Sequence, residues 1–481
     1  MKTLLLNPPA VRGVRYVREG RCEQRLSSFQ YNMLPVSLPS TAALLRERNH
    51  EVKILDATAL NLTVAETIDA ARAFSPGLVL INVSTPTFGG DAAVALLLKR
   101  ALPGSFLVAF GVHVTALPEE SLKASRFDAV IRREPEVTAA ALADTLAQGE
   151  PLHNVEGLSF RTQWKNLEHP GPIAHNPDRP FFEDLNLLPP PALDLIDHRH
   201  YPAPVSGDPH TLIVTSRGCP HQCTFCTARL FYGSRLRLRE PAAVVDEIEK
   251  VHREQGVKLF TFWSDTFTLD REHVLGICHE LLKRGLNIRW MGNSRVDRID
   301  EELLLLMAKA GCQVISYGVE SGAQEILDRA AKGITIAQIV RAFDLTRKSG
   351  IQSAAHIIFG LPGESSATLR QTLRLVRKIR PDYVQFYGAI PFPGTQFYRE
   401  AVAKKWLTTD DWDDFEINNN IVATPSLSAQ NLGRWRRRAY LTFYLDPRYI
   451  VSRLKGVRNP GDIRDLRRAG WDFLRSWVFR R

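Results

Sequence analysis

Cysteine is scarce in this chain. Six thiols in 481 residues do not make a disulfide-stapled secreted scaffold, and a reducing cytoplasm is the expected compartment. No uninterrupted apolar stretch approaches the roughly 20 residues that span a bilayer. The opening MKTLLLNPPA has one basic residue and an apolar run that stops at a proline pair. That run is too short for a signal-peptide core and reads as a buried strand. There is no G-x-G-x-x-G and no Walker loop, which disfavours nucleotide binding. No long repeat is evident. Acidic residues are nearly missing from the end: residues 431–481 hold 14 Lys and Arg, 4 Asp and no Glu. That surplus equals the +10 of the whole chain. The remaining 430 residues are balanced in charge, which argues against long nucleic acid as the partner of the body.

Two alternations of strand-like and helix-like runs are present. In the first, apolar runs near 3–7, 52–56, 78–84, 105–111 and 128–132 are separated by helical stretches. The runs are continuous rather than alternating, so both sheet faces are expected to be covered. Five such units predict an α/β fold with an open, doubly wound parallel sheet, whose ligand sits beyond the carboxyl ends of the strands. Residues 151–209 are Pro-rich and non-periodic and read as a linker. In the second alternation, strand-like runs near 212–215, 258–263, 288–293, 313–320, 353–360 and 383–390 alternate with five helices. Six strands predict a partial parallel (β/α) barrel with its chemistry at the strands' carboxyl ends. The expected division is 1–150, a linker 151–209, a barrel 210–425 and a basic, aromatic helical tail 426–481.

Half of the cysteines fall in SRGCPHQCTFCTAR, at Cys219, Cys223 and Cys226, directly after the first barrel strand. Thiolates are soft ligands for zinc or iron–sulfur sites. A structural zinc wants four protein ligands. His221 sits between two of the cysteines in a tight loop, and His210 precedes the strand, about 15 Å away at roughly 3.3 Å per residue. Three ligands suit an iron cluster with one iron left open; a zinc knuckle or plain reduced thiols is the alternative. Cys278 and Cys312 read as core, and Cys22 as a loop residue of open role.

The CxxxCxxC loop and the six-strand barrel resemble the radical S-adenosylmethionine (SAM) superfamily. The resemblance implies a 4Fe-4S cluster on Cys219, Cys223 and Cys226. Its open iron would chelate SAM, whose one-electron cleavage gives a deoxyadenosyl radical. A reductant such as flavodoxin or ferredoxin would supply the electron. It also implies SAM contacts at successive strand ends: Phe225 in the cysteine motif, Asp265, Ser294, Arg295, Glu320 in YGVES, and Gly360, Pro362 and Gly363 in HIIFGLPGES. The family's Gly-Gly-Glu is replaced here by FWSDTF. Glu320 reads equally well as a salt-bridge partner in the core.

The first sheet resembles the cobalamin-binding domain of the cobalamin-dependent branch of that superfamily, through NPP, STPTF and GVHVTALPEE ahead of FDAVIRREPE. Its pocket is expected at Ser84, Thr85, Gly111, His113 and Glu134; His113 reads alternatively as a turn cap. The D-x-H-x-x-G signature is missing, since Ala57 and Thr58 follow Asp56, so cobalt would have no protein imidazole below it. The branch implies methylation of an unactivated carbon in a small or lipid-like molecule, or cyclisation or rearrangement of a tetrapyrrole or lipid. Tyr387 is the expected substrate-side catalytic residue, or else a barrel-core aromatic. A zinc-bearing nucleic-acid-binding protein is the reading from another class. With Cys22 the only N-terminal cysteine, the related methylthiotransferase activity is disfavoured. The tail, with Arg faces opposite Trp and Phe, suits either an anionic inner-membrane surface or a helix docked on the barrel.

Overall fold

The computed structural model describes every residue except 11–12, 19–23, 26–31, 164–170, 204–206, 456–462, 465–466, 469, 472–474 and 476–481. Cys22 lies outside the described residues, as do Leu466, Phe473, Leu474 and Trp477 in the tail.

The apolar runs of the first alternation form parallel strands Lys2–Asn7, Glu51–Asp56, Leu78–Asn82, Phe106–Phe110 and Ala129–Ile131. Their order in the sheet is second, first, third, fourth, fifth. Strand residues alternate between two cores. Leu5, Leu80, Val108 and Ile131 pack under helices Ser37–Glu47 and Pro135–Gln148. Leu4, Leu6, Ile81 and Ala109 pack under Val64–Phe74 and Phe88–Ala101. Burial on both faces is why these strands read as continuous hydrophobic runs.

The sheet is wider than expected. Leu158–Arg161 and Ile173–His175, in the segment read as a linker, add two antiparallel strands at its edge. Both are too short, and too close to Gly and Pro, to give a periodic signal. The rest of that segment ties the two halves together: Tyr201 Oη donates to Asp56 Oδ2 at 2.7 Å.

The second alternation forms six parallel strands in sequential order: His210–Val214, Leu259–Trp263, Arg289–Ser294, Cys312–Glu320, Gln352–Phe359 and Tyr383–Gly388. The barrel is open, so the last strand has an unpaired edge. Helix Ala429–Tyr444, the first part of the basic tail, covers it. Tyr444 Oη takes the N–H of Val384 and donates to its carbonyl; Tyr440 Oη takes the N–H of Phe386, whose carbonyl accepts from Arg436 Nε. Side chains thus replace a seventh strand and blunt the edge. For this helix the docked alternative holds.

Candidate functional site

The first barrel strand delivers the chain to a loop held at both sides. Cys219 N–H donates to Gly233 O at 3.2 Å, Thr224 N–H to Ala330 O at 3.0 Å, and Phe397 N–H to Thr224 O at 2.9 Å. Gly218 makes the turn possible: its φ is +87°, and a Cβ there would meet the Arg235 carbonyl at 2.1 Å. Its N–H donates to Asp265 Oδ2 at 3.0 Å, tying the loop to the end of the second strand.

Cys219, Cys223 and Cys226 line one cavity of about 390 Å³, together with Phe225, Asp265, Ser294, Arg295, Glu320 and Tyr387. None of the three thiols is in a disulfide. Their arrangement is not the cage of a single ion: among the described residues no three His, Cys, Asp or Glu side chains converge on one metal position. Zinc needs every sulfur about 2.3 Å from one centre, whereas a cluster offers each thiolate its own iron. The donor set would therefore suit a 4Fe-4S cluster held by Cys219, Cys223 and Cys226. His221 lines the same cavity, its Nε2 without a protein partner.

Two groups at the site carry no periodic signal. Lys332, buried in RAAKGIT, pairs with Glu320 at 2.7 Å. Glu320 follows a bulge in its strand and has φ +62°, a conformation a glutamate holds only when its surroundings fix it. Gly318 makes room for the pair, since a Cβ there would lie 2.6 Å from the Glu320 carboxylate and 2.7 Å from the ammonium. Glu320 is thus a salt-bridge partner and a cavity residue at once. Burial pushes the Cys223 thiol up, and the Lys332 charge is the strongest force pulling it back. His356 stacks on Tyr387 with ring centroids 5.6 Å apart, its Nδ1 2.9 Å from the phenol oxygen. Inward-facing His356, Gln385 and Tyr387 give the barrel interior hydrogen-bonding groups.

Several expected residues are already engaged within the protein or lie outside the cavity lining. Ser294 Oγ is spent on Thr268 and the Arg295 carbonyl. Arg295 reaches Asp297 at 2.9 Å and the Lys332 carbonyl at 2.8 Å. Gly360, Pro362 and Gly363 are not among the cavity-lining residues. A Cβ at Gly360 would meet Leu432 of the tail helix at 2.9 Å, and one at Gly363 would meet Arg329. Gly388, Ala389 and Ile390 line the cavity instead. The motif's Glu364 turns inward and accepts from Gly360 N–H at 2.6 Å.

Burial pushes the Glu364 carboxyl up to about 8, against the pull of the Gly360 and Leu361 N–H groups. An acid whose folded value is raised contributes fully below its unfolded value, here 4.5, and loses that contribution as pH rises through about 8. Glu364→Gln is expected to flatten the fall in melting temperature over that window. An unchanged pH slope would contradict the burial of an ionisable carboxyl there.

At the carboxyl ends of the first sheet, Ser84 Oγ and Thr87 Oγ1 lie 3.0 Å apart. Gly111 has φ +130°, where a Cβ would strike the Val83 carbonyl at 2.1 Å. His113 is sandwiched between Phe88 and Trp412, centroids 4.5 and 5.0 Å away, and burial pushes it down to about 3, so it is neutral. Asn7 Oδ1, Thr85 Oγ1, Asp91 Oδ1 and His113 Nδ1 are buried without a protein partner. Orphaned donors and acceptors at one sheet end fit the amide-rimmed corrin of cobalamin. Asp56 is engaged elsewhere, with Asn7, the Ala59 N–H and Tyr201. Glu134 is a correction: it does not face this pocket. Its carboxylate meets Arg217 at 3.1 Å and Arg237 at 2.8 Å, across the boundary between the two halves. A buried carboxylate is drawn to buried guanidinium groups, and their partner choice is invisible in local sequence.

Residues 213–376 match the radical SAM superfamily and residues 25–143 match the B12 binding domain. An uncharacterized methyltransferase of Pyrococcus horikoshii is 32% identical over 419 residues, 87% of this chain and 89% of that protein. The anaerobic magnesium-protoporphyrin IX monomethyl ester cyclase of Rubrivivax gelatinosus is 28% identical over 409 residues, covering 83% and 71%. The solved structure of the radical SAM methyltransferase TsrM from Kitasatospora setae, with cobalamin and a [4Fe-4S] cluster bound, superposes with a TM-score of 0.71 over 93% of this chain and 89% of that one. At 18% identity this likeness speaks to the fold. With the cysteine loop at the mouth of a six-strand barrel and a B12-type sheet ahead of it, the chain belongs to the cobalamin-binding branch of the radical SAM enzymes.

Proposed function

We propose that this enzyme methylates an unactivated carbon of a small or lipid-like molecule. The observation that carries the reading is a single cavity bounded by the three cysteines, by polar residues of the barrel strands, and by Val17 and Met33 of the N-terminal half. When bound, the cluster and SAM supply one-electron cleavage of a carbon–sulfur bond, and cobalamin supplies a methyl group.

The chain's own residues do the positioning. Cys219, Cys223 and Cys226 would hold the cluster. Asp265 braces their loop through Gly218, and the Glu320–Lys332 pair presents one charge of each sign beside it. Arg295 has its guanidinium fixed by Asp297, so it meets an anionic group without reorganising. Asn7, Thr85, Asp91 and His113 would face cobalamin. His356, Gln385 and Tyr387 can orient a hydroxyl or carbonyl of the substrate, with Tyr387 nearest a catalytic part. Apolar neighbours such as Trp263, Ile358 and Phe392 exclude water from a reactive carbon. The thiol ligands suit a reducing compartment, and a flavodoxin- or ferredoxin-type donor would supply electrons.

The cyclase relative supports a second reading, ring formation without methyl transfer. The two separate cleanly. Reduced holoenzyme is given trideuteromethyl SAM and a metabolite extract from a strain lacking the gene. A product carrying the labelled methyl is expected; a product formed without label would replace methylation by cyclisation or rearrangement.

A further inference from the structure

The tail changes character at its midpoint. Helix Ala429–Tyr444 gives its apolar side to the barrel, burying Leu432, Ala439, Tyr440 and Phe443. Beyond it, among the described residues, most large apolar side chains face water. Twelve large hydrophobic residues are exposed among the described residues, and six of them are Leu445, Ile450, Val451, Leu454, Ile463 and Trp471. No other segment of comparable length concentrates them so.

Helix Pro447–Lys455 is fastened by one side only. Tyr449 Oη donates to the Asp382 carbonyl at 3.2 Å, and Arg453 pairs with the Asp382 carboxylate. These two residues are four apart and share a face. At about 100° per residue, Val451 and Leu454 fall on the far side and Ile450 on its flank, where they are 48%, 57% and 42% exposed. Arg448 borders that strip. Farther on, the described positions between 463 and 471 are helical and exposed, and include Arg464, Arg467 and Arg468 beside Ile463 and Trp471. No helix among the described residues is long and apolar enough to cross a membrane.

We propose that the exposed strip of helix Pro447–Lys455, with Ile463, Trp471 and the neighbouring Arg464, Arg467 and Arg468, lays the enzyme on an anionic lipid surface. An apolar strip with a basic border and a tryptophan is the composition of a helix lying in the headgroup plane. Charge decides among occupants. The tail carries the whole +10 surplus of the chain, so a second copy would set Arg-rich faces against each other, which like charges oppose. Nucleic acid would answer the arginines but leave the aliphatic strip in water. An anionic membrane answers both, and it would bring the barrel close to a lipid-phase substrate. This inference stands apart from the methyl-transfer reading.

The test is co-sedimentation of the full-length holoenzyme with vesicles of phosphatidylcholine alone or of phosphatidylcholine with phosphatidylglycerol. Binding about tenfold stronger to the anionic vesicles is expected, falling as salt rises. Ile450→Ser, Val451→Ser and Leu454→Ser combined should abolish it while iron content and far-ultraviolet dichroism stay unchanged. Arg464→Gln, Arg467→Gln and Arg468→Gln combined should weaken it and blunt the salt dependence. Equal recovery in the supernatant with both vesicle types overturns the proposal. So does undiminished binding of the serine variant, a tail-dependent dimer in sedimentation velocity, or tighter binding to duplex DNA than to the anionic vesicles.

Discussion

A Cys223→Ala variant, purified and reconstituted without air, is expected to lose its iron–sulfur absorption and all cleavage of SAM while still binding cobalamin. Two thiolates cannot hold a cluster that is already one protein ligand short of four. Cobalamin binding is spared because the groups suited to it, Asn7, Thr85, Asp91 and His113, belong to the first sheet and its helices, not to the barrel that carries the cysteine loop. Cys278→Ala provides the contrast. Its thiol is buried in the barrel core and pushed up to about 12 by burial, which makes it inert, so iron content should be unchanged. Iron retained in the Cys223 variant, or cobalamin lost with it, would contradict this division of labour.

Arg217→Met is expected to destabilise the protein by about 3–5 kcal/mol, the cost of leaving a buried charge without its partner. Burial alone would lower the Arg217 guanidinium, yet Glu136 and Glu134 outweigh it and hold it well above its ordinary range. Its two nitrogens reach Glu136 at 2.6 Å and Glu134 at 3.1 Å, and Arg237 closes the set on Glu134 at 2.8 Å. All four side chains are buried. Without Arg217, Glu136 loses this ion pair at the start of helix Pro135–Gln148. Melting should fall by several degrees under anaerobic conditions. Combining it with Glu136→Gln should recover part of the loss, because the orphaned charge is then removed. The network also joins the cobalamin-type domain to Gly218 and Cys219, so the single variant should load iron less completely at elevated temperature. A melting temperature equal to that of the unmodified chain would show that the pairing carries no stability.

The parts of this architecture that were readable in sequence are those set by short-range pattern. Continuous apolar runs such as Leu78–Asn82 report burial on both faces. The CxxxCxxC spacing reports a ligand loop because its residues are neighbours in the chain. What pattern could not reach depends on long-range pairing. Glu134 sits just before a helix at the end of a strand, where a pocket residue is expected, but Arg217 and Arg237, some hundred residues on, claim it. Lys332 looks like an ordinary surface lysine beside a glycine; only the turn that buries it against Glu320 makes it part of the site. His356 lies within a strand whose face depends on barrel closure. Gly360, Pro362 and Gly363 form the anticipated turn, but Leu432 of the tail and Arg329 occupy the space around them.

The central claim is that one polypeptide holds a three-cysteine iron–sulfur cluster and a cobalamin side by side. Metal analysis of the anaerobically prepared wild-type chain tests it most directly. The account predicts about four irons and one cobalt per chain, with no stoichiometric zinc. One zinc per chain with neither iron nor cobalt would contradict it.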